Sequence, residues 1–321
     1  MSNSITANAG EVARQTAVET AWVQWAALTS AAVPMKLQRA HSIVDPEALV
    51  LISLAMQDRE RRLSDLLAAW AHDASFLLSV QRINSLVPAY PAKVRARLRD
   101  FAALSVGFGD RRWQRHANSS QIDQAPHRRK DLGPLRLIEG PALMLRLRAG
   151  FGVGTKSDLL SFLLGLHGAA AELKVLAIAT GYTERALRKA TEDMERAGMI
   201  YRTEVQPPTF SAPYLAWAHV LDAYGLGAAQ DAETSMPHWR FWLLLFPFLA
   251  GVIEWASQAE DENWTDYVAS SRARDLTDAH QAAFRRAEIP VPDSRATRGA
   301  DYLKLFSELL LRIRAWASDQ L

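Results

Sequence analysis

The sequence predicts a mostly helical, multi-domain protein with one short pair of strands. Apolar residues recur three and four apart along most of the chain, the period of a helix buried on one face. Strand-like alternation of apolar and polar residues is confined to Met199–Val205. At 321 residues the chain is about twice the usual single-domain length, so two or three units with their own cores are expected. With 49% hydrophobic and 22% charged residues it lies far from the compositions that stay disordered. The absence of cysteine excludes disulfide scaffolds, thiolate metal sites and cysteine nucleophiles.

Residues 1–106 read as a helical domain of four or five helices, with Trp22, Trp25, Ala26 and Thr29 on one face and Leu63, Leu66, Leu67 and Trp70 on another. Asp45, Pro46 and Glu47 form a helix start: a capping carboxylate, a first-turn proline and an early acid leading into Ala48–Met56. From Gly107 to Pro134 the apolar rhythm gives way to Gly, Asn, Ser, His and Arg, so residues 107–140 are expected to be a basic linker. Residues 93–148 carry 13 basic and 5 acidic side chains, residues 207–321 carry 10 and 15, and the whole chain has a net charge of +2. The basic excess therefore lies just ahead of the central unit.

In the centre, residues 141–217, Thr155 or Ser157 is expected to cap a first helix ending near Gly165–Gly168. A second helix, about Ala171–Thr180, would bury Leu173, Leu176 and Ala177. Gly181 supplies the positive φ that ends it, Tyr182 lies in the turn, and Thr183 caps a third helix. Leu187, Ala190, Met194 and Ala197 form an apolar stripe along that helix, and Gly198 stops it. Two strands follow, turned by Pro207 and Pro208, the second starting at Thr209.

Residues 218–321 form a third unit, helical and rich in aromatics (Trp239, Trp242, Trp255, Trp264 and Trp316). Its most apolar run, Phe241–Ile253, is broken by Pro247 and is shorter than the ~20 residues a bilayer needs, which predicts a buried helix rather than a membrane span. The loop Glu288–Gly299 separates it from an amphipathic last helix, Tyr302–Trp316.

Ala177, Gly181 and Leu187 stand at the spacing of the helix-turn-helix signature, where a small residue and a turn glycine let two helices cross steeply. With the two strands added, the stretch 141–217 resembles the winged helix-turn-helix regulators of bacteria, such as the MarR and ArsR families. The run Glu195, Arg196, Ala197, Gly198, Met199 and Ile200 matches the usual end of their third helix. Ala190 departs from the pattern, replacing a larger aliphatic, and the wing is short, with Arg202 its one cation.

The resemblance implies that the third helix enters the major groove of double-stranded DNA, presenting Thr183, Glu184, Arg185, Arg188 and Lys189, with Arg202 on the wing. Arg185, Arg188 and Lys189 share the side opposite the apolar stripe. Glu184 with Arg188, and Lys189 with Asp193, have the spacing of weak surface ion pairs, the ordinary explanation for such charges. Arg111, Arg112, Arg115, Arg128, Arg129 and Lys130 of the linker would add sequence-independent attraction to phosphates. The implied role is a sequence-specific transcriptional regulator, a repressor acting as a homodimer with an effector or protein partner left open. The alternative is a protein-interaction or regulatory subunit in which the winged helix is structural.

Enzyme chemistry finds no foothold. Gly150, Gly152, Gly154, Thr155, Lys156 and Ser157 lack the glycine directly before lysine that a phosphate-binding loop requires, and are read as a hinge and helix cap. The histidines show no metal-ligand spacing, and neither a nucleophile elbow nor a helical H-E-x-x-H motif occurs. No catalytic residue, cofactor or metal is expected. The N-terminal stretch, with Gln24 between Trp22 and Trp25, lacks the basic start and clean apolar core of a signal peptide, so a cytoplasmic location is expected.

Overall fold

The computed structural model describes residues 2–29, 42–58, 60–117, 133–222, 236–293 and 297–320. It is mostly helical with a small three-stranded antiparallel sheet. Helix α1 spans Ser2–Leu28, and α2 (Pro46–Met56), α3 (Arg61–Asp73), α4 (Val80–Leu86) and α5 (Ala92–Gly107) follow. Asp45 caps α2 as its sequence position requires, its carboxylate accepting the Ala48 amide at 3.1 Å.

The central stretch comprises α6 (Leu143–Phe151), α7 (Thr155–Leu164), strand β1 (Ala171–Glu172), α8 (Leu173–Thr180), α9 (Glu184–Arg196), and strands β2 (Tyr201–Arg202) and β3 (Thr209–Ser211). The sheet order is β1-β3-β2, both pairs antiparallel, with Ala171 opposite Phe210 and Tyr201 opposite Ser211. Two details differ from the sequence reading. Ala171 and Glu172 belong to a strand rather than to the second helix, because pairing with β3 supplies partners that no local signal announces. The cap of α7 is Gly154, while Ser157 turns back to donate to the Gly152 carbonyl.

After α10 (Tyr214–Asp222) the chain forms α11 (Trp242–Asp261), α12 (Asp266–Ala279), α13 (Gln281–Arg286) and α14 (Gly299–Gln320). Helix α11 is long and apolar enough to cross a membrane by composition, but most of that stretch is buried inside the protein. It packs on α1, α2 and α12, burying Trp242, Phe246, Phe248 and Val252, as expected for a core helix.

Helix α1 does not pack chiefly with the helices that follow it in sequence. Its stripe Ala9, Ala13, Ala17, Ala21 and Trp25 is buried, and its main neighbours are α11 and α14. Small side chains let the backbones approach closely: a Cβ on Gly10 would lie 2.2 Å from that of Ala256. The apolar face of α14 (Tyr302, Leu303, Phe306, Leu309, Leu310 and Ile313) is filled by the protein's own core, against α1 and α12. The buried apolar side chains form one cluster running from Ala9 to Ala317.

Candidate nucleic-acid interface

Helix α9 is set by its two ends. Gly181 adopts the left-handed conformation, φ 72°, that closes α8, and the Thr183 hydroxyl accepts the Ala186 amide at 3.3 Å to open α9. Leu187, Ala190 and Met194 are buried against α7 and α8. Ala197, expected on the same stripe, is exposed because the helix has already ended at Arg196. In α8, Leu176 is buried whereas Leu173 and Ala177 are half-buried.

Thr183, Glu184, Arg185, Arg188 and Lys189 are all exposed. The surface ion pairs that their spacing suggested do not form: Asp193 is taken by Lys156 of α7, at 2.8 Å, rather than by Lys189. Among the described residues Arg185, Arg188 and Lys189 have no carboxylate within 4 Å. Beside this face an open groove of ≈ 510 Å³ runs along the loop Gly152–Ser157 and the Ala186, Lys189, Ala190 and Asp193 side of α9. Arg202 on β2 lies 3.9 Å from Glu195, so the wing cation is partly neutralised.

The basic stretch after α5 is less linker-like than its composition suggests. Residues Arg111–Trp113 form a turn on α5, and Trp113 is fully buried against Phe101. Arg112 is a clamp: it pairs with Asp110 and donates to the carbonyls of Ser75, at 2.9 Å, and Leu78, at 3.3 Å. Arg111 and Arg115 are exposed. Arg128, Arg129 and Lys130 lie outside the described residues.

Sequence reasoning missed the polar cluster beneath the turn between α8 and α9. Asp45, Glu47, Arg82, Arg148 and Asp158 are all at most 1% exposed, and they come from α2 and its cap, α4, α6 and α7. Arg148 donates through Nε to Asp158 at 2.7 Å, through Nη1 to Glu47 at 2.6 Å and the Leu77 carbonyl at 2.9 Å, and through Nη2 to Glu47 at 3.0 Å and Asp158 at 2.8 Å. Arg82 pairs with Asp45 and Glu47 and donates to the Thr180 carbonyl at 2.6 Å, at the end of α8. Tyr182, in the turn, reaches the same cluster. Its hydroxyl donates to Asp158 at 2.8 Å and lies 3.1 Å from the Ser79 hydroxyl.

Three carboxylates face two guanidiniums, and the excess negative charge is placed where helix dipoles offset it. Asp45 caps α2, Glu47 lies in its first turn, and Asp158 lies in the first turn of α7. Burial pushes the Glu47 carboxyl up, but the charges of Arg148 and Arg82, the Arg148 hydrogen bond and the Ser79 amide outweigh it and hold the pKa at about 2. Burial, and the charge of Asp158 next, push the Tyr182 phenol well above its usual range, so it stays a donor. A signal for the cluster existed in α2: in Pro46–Met56 every position but one is buried, so a carboxylate inside it needs a buried partner.

This cluster makes a pH prediction. A folded-state pKa of about 2 against 4.5 means that Glu47 stabilises the fold fully above pH 4.5 and loses that contribution as pH falls toward 2. The loss is on the order of 3 kcal/mol. Chemical unfolding between pH 6 and 2 should show it, and Glu47→Gln should flatten the acid limb. Parallel limbs for the two proteins would refute the assignment.

The fold also pairs two histidines that the sequence separates. His167 and His238 stack face to face at 3.9 Å, and His167 also stacks with Tyr214 at 5.1 Å. Their in-plane nitrogens do not converge, and among the described residues no group of three or more His, Asp or Glu is arranged to hold a metal ion. No protein-family model, curated protein or solved structure matches the chain.

Proposed function

We propose that the protein is a sequence-specific DNA-binding transcriptional regulator of the cytoplasm, a repressor that acts as a homodimer by occupying its operator. The observation that carries this reading is the outer face of α9: Arg185, Arg188 and Lys189 stand exposed together, with no ion-pair partner among the described residues. Three cations on one helix face form a surface that phosphates and guanine edges satisfy. The order of α7, β1, α8, α9, β2 and β3, with β3 central in the sheet, agrees with the winged helix resemblance of residues 141–217. Arg111 and Arg115 remain available for phosphates, and Arg112 is not. A homodimer needs a surface other than the apolar face of α14, which is already buried.

A protein-interaction role is the second reading. Tyr201, Val205, Leu215 and Val220 on the wing and α10 are more than half exposed, an apolar surface of the kind that partners cover.

Binding of the full chain to a mixed-sequence duplex across a salt series separates the two. Three phosphate-directed cations on each protomer should give a slope of log affinity against log salt at least as steep as about −2.7 per protomer, roughly −5 for the dimer, since each contributes roughly −0.9. A flat line would move the reading to the protein-interaction role.

A further inference from the structure

We infer that Tyr182 is the positioning residue of α9, and that through it the helical body of α2 and α4 controls how α9 meets its ligand; this rests on the DNA-binding reading. Tyr182 is 4% exposed and immediately precedes Thr183, the first of the exposed polar positions on α9. The contacts of α9 with α7 and α8 through Leu187, Ala190 and Met194 are apolar and interlock by shape, so they seat the helix but make no directional bond to the entry of its first turn. Directional ties sit at its two ends. At the C-terminal half Asp193 holds Lys156 and Glu195 lies 3.9 Å from Arg202, both exposed pairs and weak. At the N-terminal end the Tyr182 hydroxyl is bonded to Asp158, which Arg148 holds with two of its own hydrogen bonds, and to Ser79, which caps α4.

The turn has no slack to compensate. A Cβ on Gly181 would already lie 3.3 Å from Leu86 of α4, and the Thr180 carbonyl before it is bound by Arg82. The chain entering α9 is therefore bonded to α4 and its cap at Thr180 and Tyr182, with Gly181 lying close to Leu86 between them. A displacement of the Tyr182 hydroxyl is passed directly to Thr183, Glu184 and Arg185, where base edges would be read. Phosphate contacts tolerate such a shift better than base contacts, because a point charge follows a moving phosphate and a bidentate pair does not.

Tyr182→Phe removes the hydroxyl and keeps the ring. Hydrogen exchange at the amides of residues 186–190, the first in α9 with hydrogen-bond partners, is expected to quicken about tenfold while that of α11 and α14 is unchanged, the pattern of a local opening. In selection from a random-sequence duplex pool, discrimination between the enriched site and the starting pool should fall about tenfold, with the salt slope unchanged. Uniformly faster exchange across the chain, or no change in both exchange and discrimination, would overturn the inference. Should the variant fail to fold, exchange of the unaltered protein in low denaturant decides. Amides of α9 opening together with those of α2 and α4 support the fastening, and α9 opening separately overturns it. If the unaltered protein binds no duplex, the DNA reading falls, and the exchange results still judge the role of Tyr182.

Discussion

Arg148→Met should lower folding stability by about 3–5 kcal/mol, the cost of removing one partner from a buried ion pair. The guanidinium makes five hydrogen bonds, to Glu47, Asp158 and the Leu77 carbonyl, and is 1% exposed. Methionine fills much of the same volume, so a cavity contributes little. What remains is Asp158 and Glu47 in a dry interior, with only Arg82 of the two cations beside them. Arg148→Lys should be nearly as harmful, because an ammonium has three donors and no planar fork. Equilibrium unfolding in urea measures both variants. A loss below about 1 kcal/mol would place the cluster among the surface pairs of little consequence.

Replacing Arg185, Arg188 and Lys189 together with alanine should leave the fold intact and abolish site selection. All three are exposed and unpaired among the described residues, so thermal stability should hardly move. If one arginine makes a bidentate contact with guanine, its loss alone costs about 1–3 kcal/mol on the preferred site and much less on random DNA. Binding assays on both duplexes with the folded variant check this. A variant that still selects the parent's site would show that α9 is not the reading helix. Leu187→Ala is the contrasting case: this fully buried side chain should cost about 2–5 kcal/mol whatever the function.

The two helices α8 and α9 and the turn between them were legible because their signals are local. Gly181, Thr183 and the stripe Leu187, Ala190 and Met194 act within one or two turns of one another, and the structure places each as its residue type demands. The cap at Asp45 was legible for the same reason. Strand β1 was not, since two residues carry no period and Ala171 is extended only because Phe210 lies opposite. Nor was the cluster under the turn between α8 and α9. Asp45, Glu47, Arg82, Arg148 and Asp158 are separated by long stretches of chain, and Arg148 stands in a basic run where a solvated charge is the ordinary expectation. Likewise Lys156 shares no local pattern with Asp193, so the pairing of these two in place of Lys189 could come only from the fold. The amphipathic pattern of α14 was legible as a helix, while the partner of its apolar face was not: the face meets α1, far away in sequence.

That meeting of α1 with α11 and α14 also sets an order of events at synthesis. The first helix leaves the ribosome on the order of 200 residues before its partners do, a wait of tens of seconds at ordinary elongation rates. During that interval the surface destined for α11 is open to water and to other chains. It is a surface of alanines, Ala9, Ala13, Ala17 and Ala21, with Trp25 at its end, which exposes far less apolar area than leucines would. Closing so long a loop is entropically slow. The close fit at Gly10 and Ala256 is thus a late event in folding, and until that step arrives the first half of α1 presents alanines where larger apolar side chains would be stickier.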